Sequence, residues 1–228
     1  MKDKIIRLSK IISHAGICSR REAEQLIDKG KVEINGKIYN EYTIRNDIIK
    51  TIVVSGEVLK KNVNRLWIFN KPVGYVSSNK EQKNQKSLFR LFPSYIPRVV
   101  TVGRLDIMSE GLMIITNNPS ISSFLETPKN NIKRKYLVNV NGEITKNIIE
   151  KTKRNLLIDG QFYKKIKLNV IVSKSHFHSL EIELDEGKNR EIRKILSHFN
   201  LKIKKLKRIE YGPFKLGNLE IGKLKEIS

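Results

Sequence analysis

Residues 103–112 read Gly-Arg-Leu-Asp-Ile-Met-Ser-Glu-Gly-Leu, and this stretch places one carboxylate, Asp106, in a turn between two glycines. Strongly β-forming runs flank the turn at Val99–Val102 and Leu112–Ile115. A strand that glycines interrupt usually turns sharply, and a loop held between strands can fix its side chains well. Asp is also a favoured turn residue, so the turn alone favours a structural role for Asp106 over a catalytic one.

The charge balance of the whole chain is strongly positive. The 45 Lys and Arg residues outnumber 23 Asp and Glu residues, which gives a formal net charge of +22. Such a charge attracts polyanions and raises the rate of encounter with them. Mutational bias is the alternative explanation, because the chain is rich in Lys, Ile and Asn. Bias would spread lysines evenly and would not favour arginine, whereas the cations of this chain form clusters and include arginines. The composition therefore indicates a nucleic-acid-binding protein.

The composition also argues against several classes of protein. No apolar run approaches the roughly 18 residues that span a bilayer, and periodic sequence begins too close to Met1 for a signal peptide. One cysteine, Cys18, excludes an internal disulfide and fits a reducing compartment. The histidines and the cysteine have no ligand-like spacing, and no nucleotide-binding motif is present. We expect a cytoplasmic protein that uses neither a metal nor another cofactor.

The first sixty residues predict two short helices followed by a small sheet. An apolar stripe at helical spacing ends at Gly16, which can adopt the left-handed conformation. Ser19 and Glu22 form a capping box for the second helix. Asn35-Gly36 then predicts a tight turn between strands. The predicted organisation is a first domain over residues 1–61, a linker over residues 62–65 and a second domain over residues 66–228.

Arg20 and Arg21 occupy the first turn of the second predicted helix, where the macrodipole disfavours cations by about a few tenths of a kcal/mol. A phosphate at this position would resolve the conflict, because free N–H groups and two guanidiniums would converge on one anion. The alternative is a pair of solvated arginines on a short helix. We favour the phosphate contact.

The remainder of the chain predicts an α+β domain with a mixed, mostly antiparallel sheet. Its strand-like runs are Trp67–Phe69, Val99–Val102, Leu112–Ile115, Tyr136–Val140 and Ser179–Leu184. The last of these alternates apolar and polar residues, which is typical of a strand with one solvated face. A later run, Leu201–Ile209, alternates apolar and basic residues and predicts a strand whose cationic face follows RNA phosphates or is simply solvated.

A helix is predicted after Asn189, which is placed to cap it. Its apolar face consists of Ile192, Ile195, Leu196 and Phe199. Three cations, Lys188, Arg190 and Arg193, crowd the N-terminal end of this helix. Arg193 neighbours the apolar face, so its guanidinium could reach a carboxylate inside a cleft. On the pattern alone, extension into solvent explains Arg193 better.

The N-terminal part resembles an S4 RNA-binding domain. The matching segments are Arg7–Lys10, Gly16–Ala23 and Lys31–Gly36. The resemblance implies binding to structured RNA without identifying a reaction. The residues it implies as RNA contacts are Arg7, Lys10, Arg20 and Arg21.

Four later segments resemble the RsuA-type ribosomal RNA pseudouridine synthases, which place an S4 domain before the catalytic domain. They are Asn70–Gly74, Gly103–Leu112, Lys135–Val138 and Glu186–Arg193. The Gly-Arg-Leu-Asp motif with its Ser-Glu-Gly-Leu continuation is highly specific, and the resemblance covers nearly the whole chain. Asn189–Arg193 and Tyr211–Gly217 look most like the RluB-like, large-subunit branch, and the chain lacks the Tyr-His-Gln-Val-Lys typical of the small-subunit branch.

The resemblance implies that Asp106 is the essential catalytic aspartate of an isomerase. Arg193 would pair with Asp106, and Ile192 would support the uracil ring. Tyr136 would stack on the target base, although it also shares a strand face with core residues. Arg104 would fill the space left by a uridine that leaves its stack. Asp106 could attack C1′ or C6 of the uridine or remove the C2′ proton, and the residues do not choose among these routes.

The implied partner is ribosomal RNA, most specifically a stem-loop of 23S rRNA within a ribosome assembly intermediate, bound by a monomeric enzyme. Lys188 and Arg190 would add RNA contacts. Two alternatives stay open: a small-subunit rRNA pseudouridine synthase, and a non-catalytic RNA-binding assembly factor with the same fold. The presence together of Asp106, Arg193 and Tyr136 favours the enzyme, because a protein that only binds RNA would be free to lose them.

Overall fold

The computed structural model describes residues 5–60, 62–79 and 84–227. The backbone divides into two compact units. The first contains the described residues up to Arg65 together with Ser94–Val100 and Thr116–Ser122, and the second contains the other described residues from Leu66 onward. Within the described residues, no helix has both the length and the apolar character needed to cross a membrane.

The first unit contains the predicted helix pair and short strands. Its elements within the described residues are β1 (Ile5–Arg7), α1 (Leu8–His14), α2 (Arg20–Asp28), β2 (Val32–Ile34), β3 (Lys37–Ile38), β4 (Thr43–Arg45), β5 (Ile52–Val54) and β6 (Glu57–Val58). Strand β1 pairs with β4, and a second antiparallel sheet has the order β3-β2-β5-β6. Apolar side chains of both helices and of the sheets form one core, which includes Leu8, Ile12, Ala23, Ile27, Val32, Ile44 and Val54.

Local sequence sets the boundaries of these elements, as predicted. Gly16 follows α1 with a φ of +81°. The Ser19 hydroxyl accepts the Glu22 N–H at 3.3 Å, and the Glu22 carboxylate accepts the Ser19 N–H at 2.7 Å, which confirms the capping box. Asn35 and Gly36 both have positive φ in the turn between β2 and β3, as a tight hairpin turn requires.

The second unit is built on a mixed sheet. Its strands and α-helices, three of which begin or end in the first unit, are β7 (Leu66–Lys71), β8 (Tyr75–Val76), β9 (Lys86–Ser87), β10 (Val100–Val102), β11 (Glu110–Thr116), α3 (Pro119–Glu126), β12 (Arg134–Asn141), α4 (Lys146–Thr152), β13 (Leu156–Ile158), β14 (Gln161–Tyr163), β15 (Lys167–Lys174), β16 (Phe177–Leu184), α5 (Glu191–His198), β17 (Lys202–Tyr211), β18 (Phe214–Lys215) and β19 (Leu224–Ile227). The main path of the sheet is β15-β16-β12-β17-β11-β7-β19, with β10 beside β11 and β18 beside β17. The α+β class and the mostly antiparallel sheet are confirmed.

Strands β7 and β11 of this sheet bury nearly all of their side chains, on both faces. Every residue of β11 is buried, which suits its parallel pairing with β17. Strand β16 instead alternates as predicted: Leu180, Ile182 and Leu184 are buried, whereas Glu181 and Glu183 are partly exposed. The sheet therefore has a buried centre and a partly solvated flank.

Strand β17 departs from the simple alternation that its sequence predicts. Its register with β12 shifts at Lys204, which has no residue opposite it. An extra residue reverses the faces taken by the side chains that follow it. Arg208 is consequently buried, and its Nε donates to the carbonyl of Leu112 at 2.7 Å. The predicted cationic face is thus wrong at Arg208, whereas Lys202 and Lys205 are exposed.

Helix α5 also begins differently from the prediction. Asn189 does not cap it, because Arg190 is the N-cap residue and adopts a left-handed conformation with a φ of +54°. The Glu191 carboxylate reaches back and accepts the Lys188 N–H at 2.9 Å. The apolar face is otherwise as predicted, except that Phe199 lies just beyond the helix and is partly exposed.

Candidate active site

The turn that carries Asp106 connects β10 to β11. Gly103 begins it with a φ of +66°, a conformation that glycine adopts without steric cost. The Ser109 N–H donates to the Asp106 carbonyl at 2.9 Å, and the Gly74 N–H donates to the Ile107 carbonyl at 2.8 Å. Ser77 lies against the same turn, where its hydroxyl donates to the Leu105 carbonyl at 3.1 Å. The turn is therefore held mainly through its own backbone.

A buried lysine lies beneath this turn. The Lys71 ammonium donates to three carbonyl oxygens, those of Pro72 at 3.0 Å, Asp106 at 3.3 Å and Ser109 at 2.9 Å. Lys71 is fully buried. Burial lowers the pKa of Lys71 to about 8, because an ammonium group away from water is disfavoured, although the Asp106 charge opposes this effect. Lys71 thus joins the end of β7 to both ends of the Asp106–Ser109 segment.

The Asp106 side chain faces two arginines from the α5 region. Arg193 Nε lies 3.3 Å from Asp106 Oδ2, and Arg190 Nη1 lies 3.9 Å from the same oxygen. A second nitrogen of Arg193 donates to the Met108 carbonyl at 2.9 Å and to the Ser109 hydroxyl at 3.1 Å. These contacts hold Arg193 against the turn as well as against its carboxylate. Asp106 keeps 27% of its side chain exposed, so a substrate can still reach it.

Asp106 and Arg193 line a cleft of about 320 Å³ in the second unit. Tyr136, Ile192 and Arg104 line the same cleft. Tyr136 and Ile192 are largely buried in its wall, whereas Arg104 is exposed. The structure therefore brings together the five residues that the sequence singled out for the active site, and Lys188 and Arg190 line the cleft with them.

Several residues of the cleft were not assigned to the active site from the sequence. Besides Ser109, they include an aromatic and cationic cluster in which Arg134 and Arg208 lie 4.7 and 5.0 Å from the centre of the Tyr211 ring. Arg134 also donates to the Tyr211 hydroxyl at 2.9 Å. These side chains come from β12 and from the shifted part of β17, so no local pattern marks them. The sequence could have drawn attention to Lys71, because a charged residue at the end of an apolar strand and directly before a proline is unusual.

The predicted RNA contacts of the first unit are all exposed: Arg7, Lys10, Arg20 and Arg21. Arg20 and Lys10 both lie close enough to His14 for their charges to lower its pKa, in addition to the larger effect of burial. Lys10 of α1 and Arg20 in the first turn of α2 are therefore both close to His14. Exposed cations of this kind are suited to phosphate groups.

Comparison with known proteins identifies both parts of the chain. Residues 6–44 match the S4 domain, and residues 65–198 match the RNA pseudouridylate synthase family. An uncharacterized RNA pseudouridine synthase of Rickettsia typhi is 42% identical and aligns with 97% of this chain and 91% of its own length. The ribosomal large subunit pseudouridine synthase B of Bacillus subtilis is 32% identical and aligns with 97% of this chain and 92% of its own length.

A solved structure shows the same fold. The crystal structure of a pseudouridylate synthase has a TM-score of 0.70 with this protein at 23% sequence identity, and the alignment covers 98% of this chain and 96% of that one. The family match spans more than half of the chain, and the Rickettsia and Bacillus relatives align with nearly all of it. The chain therefore belongs to the RNA pseudouridylate synthases, which are isomerases, and to their RsuA-type branch with an S4 domain before the catalytic domain.

Proposed function

We propose that the protein converts a specific uridine of large-subunit ribosomal RNA to pseudouridine, with Asp106 as the catalytic carboxylate. One observation carries the assignment of Asp106: its carboxylate is accessible in a cleft and is held 3.3 Å from the Arg193 guanidinium. The reaction breaks the N1–C1′ bond, turns the freed uracil and joins C5 to C1′. A fixed carboxylate suits each of the three routes, attack at C1′, attack at C6 and removal of the C2′ proton.

We propose for the other cleft residues the roles that the family resemblance implies, and their positions support these roles. Arg193 orients Asp106 through the contacts that it makes with both the carboxylate and the turn. Tyr136 and Ile192, which are largely buried in the wall, support the extruded base by stacking and by apolar contact. Arg104, which is exposed beside the cleft, occupies the gap that the uridine leaves in the RNA helix.

The choice of large-subunit rRNA is supported by the name of the Bacillus subtilis relative. We propose that residues 1–61 form the S4 domain that binds this RNA, and that residues 62–65 link it to the catalytic domain over residues 66–228. The proposed phosphate contacts are Arg7, Lys10, Arg20, Arg21, Lys188 and Arg190. In this proposal a cytoplasmic monomer acts without a cofactor on a stem-loop of an assembly intermediate.

The test of Asp106 is release of tritium from rRNA labelled at C5 of uridine. Asp106→Asn removes the charge with almost no change of shape, so we expect tritium release to become undetectable while RNA affinity changes less than about threefold. Asp159→Asn makes the same chemical change at an exposed hairpin turn and serves as the matched control. Normal turnover by the Asp106→Asn variant would exclude Asp106 as the catalytic group.

The test of the target is pseudouridine mapping in cells with and without the gene. Carbodiimide treatment followed by reverse transcription marks pseudouridine as a stop. We expect one stop in 23S rRNA to disappear without the protein and to return with the wild type but not with Asp106→Asn. A lost stop in 16S rRNA would instead identify a small-subunit enzyme, and no lost stop in either rRNA would contradict the proposal.

A further inference from the structure

Two carboxyl groups lie at the start of α5: Glu186 belongs to the segment that joins β16 to α5, and Glu191 is the first residue of the helix. Glu191 is 4% exposed and lines the cleft. Its Oε2 accepts the Lys188 N–H at 2.9 Å, but its buried Oε1 receives no hydrogen bond from a donor in the described part of the chain. A buried acceptor of this kind costs free energy unless it finds a partner.

The partner available to Glu191 is the carboxyl group of Glu186, because both carboxyl groups contact Lys188, Glu191 at its backbone N–H and Glu186 at its ammonium group. Glu186 Oε1 already accepts the Lys164 N–H at 2.9 Å and lies 3.1 Å from the Lys188 ammonium. Two neighbouring ionised carboxylates repel each other, whereas one proton shared between them turns the contact into a hydrogen bond. A protonated Glu191 therefore satisfies the orphaned oxygen and removes the repulsion together.

The surrounding charges assign the proton to Glu191. Burial raises the pKa of Glu191 to about 7, and the Glu186 charge adds to this effect. Burial acts in the same direction on Glu186, but the Lys164 N–H and the Lys188 ammonium outweigh it and lower the pKa of Glu186. On the β12 side, the Arg134 guanidinium lies against Gly187. Within α5, Arg193 points to Asp106 and Lys194 to Gln161.

The segment that this pair holds is the one that presents arginines to Asp106. Near the start of the segment, Glu186 accepts a hydrogen bond from the N–H of Lys164, the residue after β14. At the end of the segment, Glu191 accepts a hydrogen bond from the Lys188 N–H. Arg190, between these attachments, has a left-handed backbone and lies 3.9 Å from Asp106. Arg193 follows within the first turn of α5. A movement of the segment would displace both guanidiniums.

We propose that Glu191 is a positioning residue that shares a proton with Glu186, and that this proton fixes residues 185–191 in the arrangement that brings Arg190 and Arg193 to Asp106. The inference rests on the proposed function only in taking Asp106 as the reactive carboxylate. When Glu191 ionises, repulsion from Glu186 loosens the segment and activity falls.

The first test compares pH profiles of kcat/KM between pH 6 and pH 8. Glu191→Gln keeps both hydrogen bonds at every pH, because its amide donates to Glu186 and accepts from Lys188. About nine-tenths of a group with a pKa of about 7 is ionised at pH 8. The ratio of Glu191→Gln to wild-type kcat/KM should therefore rise by up to about tenfold across this range.

Two further variants sharpen this comparison. Glu186→Gln can donate to an ionised Glu191, so it should also remove the wild-type decline, whereas Glu143→Gln at an exposed site should follow the wild type. Lys71 is the same in every variant, so its own titration cancels. The proposal is overturned if the ratio of Glu191→Gln to wild-type kcat/KM is constant between pH 6 and pH 8. It is also overturned if the Glu191→Gln variant folds but is inactive at every pH.

The second test does not depend on catalysis. The folded protein keeps the Glu191 proton up to a pH of about 7, whereas the unfolded chain loses it near its ordinary value of 4.5. Wild-type stability therefore falls as the pH rises between these values and stays lower above them. We expect the Tm of Glu191→Gln relative to wild type to increase by about 3 °C or more from pH 5 to pH 8. An unchanged Tm difference contradicts the shared proton, and an absence of tritium release with the expected Tm change contradicts only the proposed function.

Discussion

Lys71 shows how one residue can organise the site without lining the cleft. Its ammonium group has exchanged water for the carbonyls of Pro72, Asp106 and Ser109. Three carbonyl dipoles compensate only part of the hydration lost by a fully buried cation, which is why its pKa falls to about 8. In return, its contacts span the segment that carries the catalytic candidate.

Lys71→Met tests this role. Loss of the three hydrogen bonds should let the Asp106 turn shift, and we expect kcat to fall about tenfold or more with a smaller change of KM. Tritium release from labelled rRNA measures both constants. Lys146→Met, at an exposed position of α4, is the control and should behave as the wild type does.

The pH dependence of stability gives a second expectation for Lys71. Because its folded pKa of about 8 lies below the unfolded value of 10.5, the unfolded chain holds the proton longer. Wild-type stability therefore gains as the pH rises from about 8 to 10.5, by an amount on the order of 3 kcal/mol, and Lys71→Met lacks this gain. Urea unfolding at pH 7.5 and pH 10 measures this gain in the free energy of unfolding. The same change in the wild type and in Lys71→Met would contradict a lowered pKa of Lys71.

Single-residue roles were predictable only through resemblance to a family. The turn pattern favoured a structural role for Asp106, and the helix pattern favoured a solvated Arg193. Their 3.3 Å contact joins residues separated by 87 positions, and no local spacing encodes such a pair. Glu191 was also inconspicuous in the sequence, because a glutamate in the first turn of a helix needs no special explanation.

At the scale of elements, the pairing of β11 with β17 depends on a residue that has no side chain. A Cβ on Gly111 would lie 2.2 Å from the Arg208 carbonyl oxygen, and the φ of Gly111 is +99°. The parallel partner of Gly111 in β17 is Arg208 itself. The backbones of the two strands therefore approach more closely than any L side chain allows, directly after the Asp106 turn.

Gly111→Ala should separate these strands. We expect destabilisation of about 3 kcal/mol or more, equivalent to a fall in Tm of about 6 °C or more. Gly222→Ala is the matched control, since Gly222 has a φ of +77° but open space around its Cβ position, and it should cost only about 1 kcal/mol. Equal Tm values for the two variants would show that the positive φ alone causes the destabilisation and that the close approach of β11 and β17 does not contribute.

Features that depend on residues close together in the sequence were predicted well, whereas features that depend on residues far apart in the sequence were not. The capping box at Ser19 and the turn at Asn35 depend on residues within a few positions, so they were predicted correctly. The N-cap of α5 depends on the left-handed Arg190, and the register of β17 depends on how β12 pairs with an extra Lys204. Neither feature leaves a pattern in its own segment.

At the scale of the whole molecule, the excess of cations predicts a general attraction to RNA. The formal charge of +22 is spread over both units, so most of it contributes to attraction and little of it to recognition. The exposed Arg20 and Arg21 differ from an average surface cation, because they lie at the N-terminal end of α2, where its free N–H groups also favour an anion.

Replacing Arg20 and Arg21 by alanine tests whether these two residues bind phosphate. We expect the slope of log K against log salt concentration to become shallower by about 1 to 2 for binding to rRNA fragments. Lys146→Ala with Lys151→Ala removes the same charge from exposed positions of α4 and should change the slope less. Equal changes in the two double variants would assign the effect to net charge alone.

The main-chain attachment of the Asp106 turn separates the position of the carboxylate from the nature of the side chains around it. The Lys71 ammonium, the Gly74 N–H and the Ser77 hydroxyl all bind backbone atoms of the turn. The exposed side chains on either side of Asp106, Arg104 and Met108, are not needed to hold it. Substitution of Arg104 or Met108 is therefore expected to change the exposed surface beside Asp106 without moving the carboxylate.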